Sequence, residues 1–242
     1  MNTDKPCALV TGASRGLGLG LCQSLLEEGY SVGACSHSRP IPIKHPQCIE
    51  TQFDITDESS LTRFTNHTIE TFGKISLWIN NAGILDPICP VREMTHAAFE
   101  QAINVNLKAV FLASKLFINH VRNQRHKGLL INISSGAAQK PYAHWGAYCA
   151  TKAAMERLTT CIAEEELESG LRAISLSPGV INTDMQTQIR KCSEEQFPMV
   201  QKFHDIKAKN AFNTPAQVAR YIIKIHQDVE NSDIIPPVVA RI

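Results

Sequence analysis

This chain of 242 residues has almost no excess charge of either sign. Its net charge is +1 and charged residues make up 19%, so it lacks the basic surface that a nucleic-acid partner requires. No stretch approaches the ~20 apolar residues of a membrane span. The opening MNTDKP lacks the apolar segment of a secretory signal. The eight cysteines include no C-x-x-C pair. Several, such as Cys7 before Ala8-Leu9-Val10, read as buried small hydrophobes in a reducing compartment. No two of the nine histidines fall at metal-ligand spacing, so no structural metal is expected. Repeats, low-complexity tracts and linkers are missing too. These absences leave a soluble cytoplasmic protein of one domain, large enough to bury roughly 70–75% of its unfolded surface without staples. The single acidic run, Glu164-Glu165-Glu166 with Glu168, reads as a solvated helix end.

What is present is a regular alternation. Short apolar runs at 7–10, 31–36, 48–53, 75–80, 129–134 and 171–177 read as strands. Amphipathic stretches at 16–28, 57–72, 99–123 (one long helix or two) and 148–168 read as helices. Residues 184–228 look helical with one interruption, where Thr214 can cap a helix that has Pro215 at its first position. Residues 234–239 are a weak edge strand because of their two prolines. The proline-rich segment 40–46 is a surface loop that replaces a helix. Strands alternating with helices predict an α/β fold: a single doubly wound parallel sheet with helices on both faces, spanning 1–242.

The first strand runs into Thr11-Gly12-Ala13-Ser14-Arg15-Gly16-Leu17-Gly18, a glycine loop opening a helix. Gly12 permits the turn, Gly16 a close approach to a pyrophosphate, and Gly18 close packing of helix on strand; the helix N-terminus offers free N–H groups to the phosphates. The end of the second strand, Ser36-His37-Ser38-Arg39, carries no acid to bind a ribose 2′-hydroxyl, which favours NADP(H) over NAD(H). Arg15 can reach the 2′-phosphate as a bidentate donor; the alternative is a solvated loop cation. Tyr148 and Lys152 lie one helical turn apart, thirteen residues after Ser135. A phenol has pKa ~10, too high for efficient proton transfer near neutrality, and a neighbouring ammonium would depress it. Ser135 can donate to a substrate oxygen. Ser134 competes with it, and the spacing to Tyr148 favours Ser135.

The T-G-x-x-x-G-x-G loop, Asn80-Asn81-Ala82-Gly83, Tyr148-x-x-x-Lys152 and Pro178-Gly179 resemble the short-chain dehydrogenase/reductase family, in order and over residues 6 to about 230. The resemblance implies cofactor contacts from Gly12, Ser14, Arg15, Gly16, Leu17, Gly18, Ser36 and His37. It also implies contacts from Asp54, Ile55, Asn81, Ala82, Gly83, Tyr148, Lys152, Pro178, Gly179, Ile181 and Thr183. Asp54 would bond the adenine amine, or else cap a helix. Thr183 would hold the nicotinamide carboxamide. Asn106 would join Ser135, Tyr148 and Lys152 as the asparagine that links the lysine to a water chain, or else mark a helix kink.

Trp145–Lys152 and Asn182–Gln186 look like the sepiapterin reductase branch and its bacterial benzil reductase relatives. There, Asp184 would anchor a pterin, or else be a helix N-cap. Trp145 and Tyr142 would stack a flat substrate, or else pack the loop. The expected substrate is a small ketone or diketone, aromatic or pterin-like. A 3-oxoacyl or hydroxysteroid reductase, or a non-catalytic NADP-sensing protein, is the alternative. Family members commonly pair through helices at 106–123 and 148–168, which implies a homodimer or homotetramer.

Overall fold

The computed structural model describes residues 5–232 and 235–242. Its strands are β1 (Cys7–Thr11), β2 (Ser31–Ser36), β3 (Cys48–Gln52), β4 (Ile75–Asn80), β5 (Gly128–Ile133), β6 (Leu171–Ser177) and β7 (Val239–Arg241). They form one sheet in the order β3-β2-β1-β4-β5-β6-β7, and every pairing is parallel. The helices are α1 (Gly16–Glu27), α2 (Glu58–Phe72), α3 (His96–Ile103), α4 (Ala109–Gln124), α5 (Gly146–Glu165), α6 (Asp184–Arg190), α7 (Val200–Ala208) and α8 (Pro215–Asn231).

The strands read as continuous apolar runs because both faces of the sheet are covered. Along β1, Ala8 and Val10 pack towards Leu21 of α1 and Ile222 of α8. Cys7 and Leu9 pack the other way, towards Phe64 of α2, Phe117 of α4 and Ile162 of α5. One strand thus feeds two cores with the period of two that its pleat imposes.

Five local expectations change. The loop between β2 and β3 contains no helix, as expected, but Ile41 and Ile43 are buried in the α1–α8 core, so it is more than a surface strap. The 99–123 segment begins earlier, at His96, because Thr95 accepts a hydrogen bond from Ala98 N at 3.2 Å, and a π-helical turn at Asn104–Lys108 divides it. Residues 184–228 break twice. The unforeseen break follows α6, where Ser193 and Gln196 bond each other's backbone N–H groups and Pro198 has none to offer. The second break is the cap foreseen at Thr214, which Gln217 turns into a capping box. The last strand starts at Val239, after Pro236 and Pro237, whose missing N–H groups cannot join a ladder; Ile234 lies outside the described residues. The acidic run is not wholly solvated either. α5 ends at Glu165, and Glu166 is 6% exposed and accepts from Arg122 Nε at 2.7 Å.

Candidate active site

The strand order reverses between β1 and β4. The C-terminal ends of β1, β4, β5 and β6 border a cleft of about 830 Å³. On one side stands the glycine loop. Gly12 has φ +71°, which L side chains rarely adopt. A Cβ on Gly18 would lie 2.3 Å from the Gly12 carbonyl oxygen, so α1 can approach the loop only with glycine there. Arg15 flanks α1 in extended conformation and caps it with no side chain, leaving the N–H groups of the first turn free. Asn81 ties this loop to β4. Its amide nitrogen donates to the carbonyls of Thr11 (2.9 Å) and Gly12 (3.1 Å), while Thr11 Oγ1 accepts from Asn81 N and Ala82 N, both at 3.0 Å. Thr11 was not foreseen as part of the site, although its place just before Gly12 was a signal. Arg39, beyond β2, was likewise read only as part of an acid-free stretch; it lines the cleft.

Apart from Asn106, twenty-three residues were expected to touch cofactor or substrate, Tyr142 among them. All line the cleft. Asn106 does not. It is fully buried in the π-helical turn, where its Oδ1 accepts from Ile84 N and its Nδ2 donates to Ile84 O, both at 2.8 Å. Both ends of the amide are committed to holding the strand-end loop, with a weaker bond to Thr151 Oγ1 at 3.3 Å. Asp54 accepts from Thr56 N at 2.9 Å and Thr56 Oγ1 at 2.8 Å, bonds that hold its carboxyl below the usual range. The cap of α2 is Asp57.

Tyr148 and Lys152 share the inward face of α5, and both are buried. Burial pushes the Tyr148 phenol up to about 12, opposed by the neighbouring Ser135 hydroxyl. Burial draws the Lys152 ammonium down to about 8, opposed by the charge of Glu156. The charge of Lys152 is outweighed here, and the phenol rises instead of falling. The Lys152 Nζ lies 5.8 Å from the ring centroid and donates to Ile133 O at 2.7 Å, and desolvation of the phenol prevails. Ser135 also accepts from Ala137 N at 3.2 Å, which fixes it at the start of a 3₁₀ turn. Ser134 turns away to donate to Glu156 Oε1 at 2.6 Å. Ser134 is thus spent on Glu156, which leaves the Ser135 hydroxyl to act beside Tyr148.

Two readings at the substrate end change. Trp145 is 4% exposed and stacks on Phe197 (4.6 Å between centroids, 3° between planes) and on Tyr142 (4.9 Å, 23°). Its faces are taken by protein rings, and its packing on Tyr148 is edge-on at 5.8 Å. It braces the phenol rather than offering a stacking surface, which is the loop-packing alternative. Asp184 is the first residue of α6, and Thr183 is the N-cap. The carboxylate is engaged by Arg15 and Arg39 instead of standing free for a pterin.

The protein-family model described as short chain dehydrogenase matches residues 6–194. The chain is 31% identical over 226 residues to an (S)-benzoin-forming benzil reductase of Bacillus cereus, covering 88% of this chain and 91% of that one. It is 30% identical over 224 residues to the corresponding enzyme of Bacillus subtilis strain 168, covering 90% and 91%. Among solved structures it superimposes on KRED1-Pglu with a TM-score of 0.84 at 26% identity, over 96% of this chain and 97% of that one. It matches the Saccharomyces cerevisiae short chain dehydrogenase/reductase YIR035C equally well, with a TM-score of 0.84 at 26% identity, covering 98% and 95%. With the glycine loop, the Tyr148–Lys152 pair and the parallel sheet in place, the chain belongs to the short-chain dehydrogenase family.

Proposed function

We propose that the protein is an NADPH-dependent carbonyl reductase acting on a small ketone or diketone, aromatic or pterin-like. The observation that carries this reading is the convergence of Ser135, Tyr148 and Lys152 on the cleft that the glycine loop borders. The cleft's donor set fits NADP(H). It combines the uncapped N-terminus of α1, two guanidiniums from Arg15 and Arg39, and no acid at the end of β2. Gly12, Ser14 to Gly18, Ser36, His37, Asp54, Ile55, Asn81 to Gly83, Pro178, Gly179, Ile181 and Thr183 would hold the dinucleotide. When bound, it supplies the hydride that reduces the carbonyl carbon.

The chain's own residues manage the oxygen. Ser135 donates a hydrogen bond to the carbonyl oxygen and steadies the charge growing there. Tyr148 gives that oxygen its proton as general acid. The Lys152 ammonium, held by the Ile133 carbonyl, stabilises the tyrosinate left behind. Asn106 acts at one remove, by pinning the Ile84 backbone beside Gly83. Leu85, Tyr142, Ile189, Phe203 and Ile206 give the far end of the cleft an apolar and aromatic wall, which suits a flat substrate. The benzil reductase relatives support an aromatic diketone. The pterin-like variant would require Asp184 to leave its two arginines. Of residues 184–228, the part that covers this end is α6 and α7, while α8 packs against α1. We also place the protein in the cytoplasm, where its eight free cysteines would stay reduced, as a homodimer or homotetramer. Phe111, 47% exposed on α4, fits such an interface.

The test is a panel of benzil, sepiapterin and an acetoacetyl thioester, each followed by loss of NADPH absorbance. Benzil should have the highest kcat/KM. Turnover confined to the acetoacetyl substrate would replace this reading with that of a 3-oxoacyl reductase.

A further inference from the structure

Asp184 stands on one wall of the cleft, at the start of α6. Arg15 and Arg39 stand on the other, in the glycine loop and just beyond β2. Asp184 Oδ2 accepts from Arg15 Nη1 at 2.5 Å and from Arg39 Nη1 at 3.3 Å. Among the described residues, no other carboxylate pairs with either guanidinium. A single anionic oxygen thus gathers the two cations that the segments following β1 and β2 supply. That is the contact an oxygen of a phosphate monoester would make with them.

We infer that Asp184 is a built-in occupant of the 2′-phosphate subsite, and must release Arg15 and Arg39 before a 2′-phosphorylated adenosine can be held there. The inference rests on the NADP(H) reading and deepens it. All three side chains are more than half exposed, so the exchange takes place in water and the pair is readily broken. A phosphate monoester carries about −1.5 to −2 charges and three acceptor oxygens, against one charge on the carboxylate, so it can displace Asp184. A neutral 2′-hydroxyl cannot. Asp184 therefore weakens binding of phosphorylated cofactors alone, and is a specificity-determining residue. The chain gives up some NADP(H) affinity and keeps its two arginines paired until the right ligand arrives.

The probes are 2′,5′-ADP and 5′-AMP, which differ only in the 2′-phosphate, titrated calorimetrically into the wild-type protein and Asp184→Asn. The inference predicts that Asp184→Asn binds 2′,5′-ADP about three- to tenfold more tightly and changes 5′-AMP affinity by less than twofold. A general gain in positive potential would instead tighten both, because both carry a 5′-phosphate, and would overturn it. So would unchanged or weaker binding of 2′,5′-ADP, the result expected if the carboxylate and arginines close over the ligand as a clasp. A wild-type protein that holds the two probes equally would refute the NADP(H) reading itself. A wild-type preference for 2′,5′-ADP that Asp184→Asn fails to strengthen would remove only the masking role of Asp184.

Discussion

Burial acts on Tyr148 and Lys152 in opposite directions, and the consequence is visible in pH. The phenol is pushed up to about 12 and stays protonated, ready to donate, across the neutral range. The ammonium is drawn down to about 8, so it is charged below that pH and lost above it. Because the charged form assists proton release from Tyr148, kcat for ketone reduction should be level near pH 7 and fall through pH 8 to 9. A rate that keeps rising past pH 9 would contradict this role. The pairing of these two residues was legible because helical spacing alone puts i and i+4 on one face. The partners of Trp145 and Asp184 were not. Their neighbours Phe197 and Arg39 lie far away in sequence, and only chain closure decides whether an aromatic ring shows its face or spends it.

At the scale of elements, the glycine loop is held by contact as well as by conformation. Alanine in a helix usually gains up to about 1 kcal/mol over glycine. At Gly18, however, a methyl would sit 2.3 Å from Gly12 O and 2.5 Å from Asn81 Nδ2, and overpacking of that kind costs about 1–3 kcal/mol. The clash decides the sign. Gly18→Ala should lower the melting temperature by several degrees and weaken NADPH binding, measured by fluorescence titration. Thr214→Ala should cost about 1 kcal/mol through loss of the capping box on α8, or ~2–4 °C in a thermal melt, and leave turnover unchanged. That cap could be read from Thr214-Pro215 directly, since local chemistry makes it. The π-helical turn at Asn104–Lys108 was legible only as the kink alternative for Asn106, with no partner named. It exists because Asn106 bonds the Ile84 backbone from 22 residues away.

The molecule as a whole is one parallel sheet between two cores, and the alternation of apolar runs was enough to read it. What the runs did not reveal is how polar groups are stored between layers. His226 of α8, 2% exposed, accepts or shares hydrogen bonds with Tyr30 OH at 2.8 Å and Ser76 Oγ at 3.0 Å; the Glu230 carboxylate lies 3.8 Å away. Burial draws it down to about 4, so between pH 6.5 and 4 the unfolded chain binds the proton that the folded one refuses. Its stabilisation is full above pH 6.5 and is lost as pH falls towards 4, on the order of 3 kcal/mol. Denaturant melts should show that loss, and His226→Gln should make the slope shallower but not flat, because burial also draws His120 down to about 4; an equal slope in the variant would exclude His226 as a source. The claim on which the rest depends is that Tyr148 delivers the proton in the cleft. Its most direct test compares wild type and Tyr148→Phe for NADPH binding by fluorescence and for benzil-dependent NADPH oxidation. The account predicts unchanged binding and a loss of turnover of at least about a hundredfold, in the range expected for removing a general acid. Turnover that survives the substitution would contradict it.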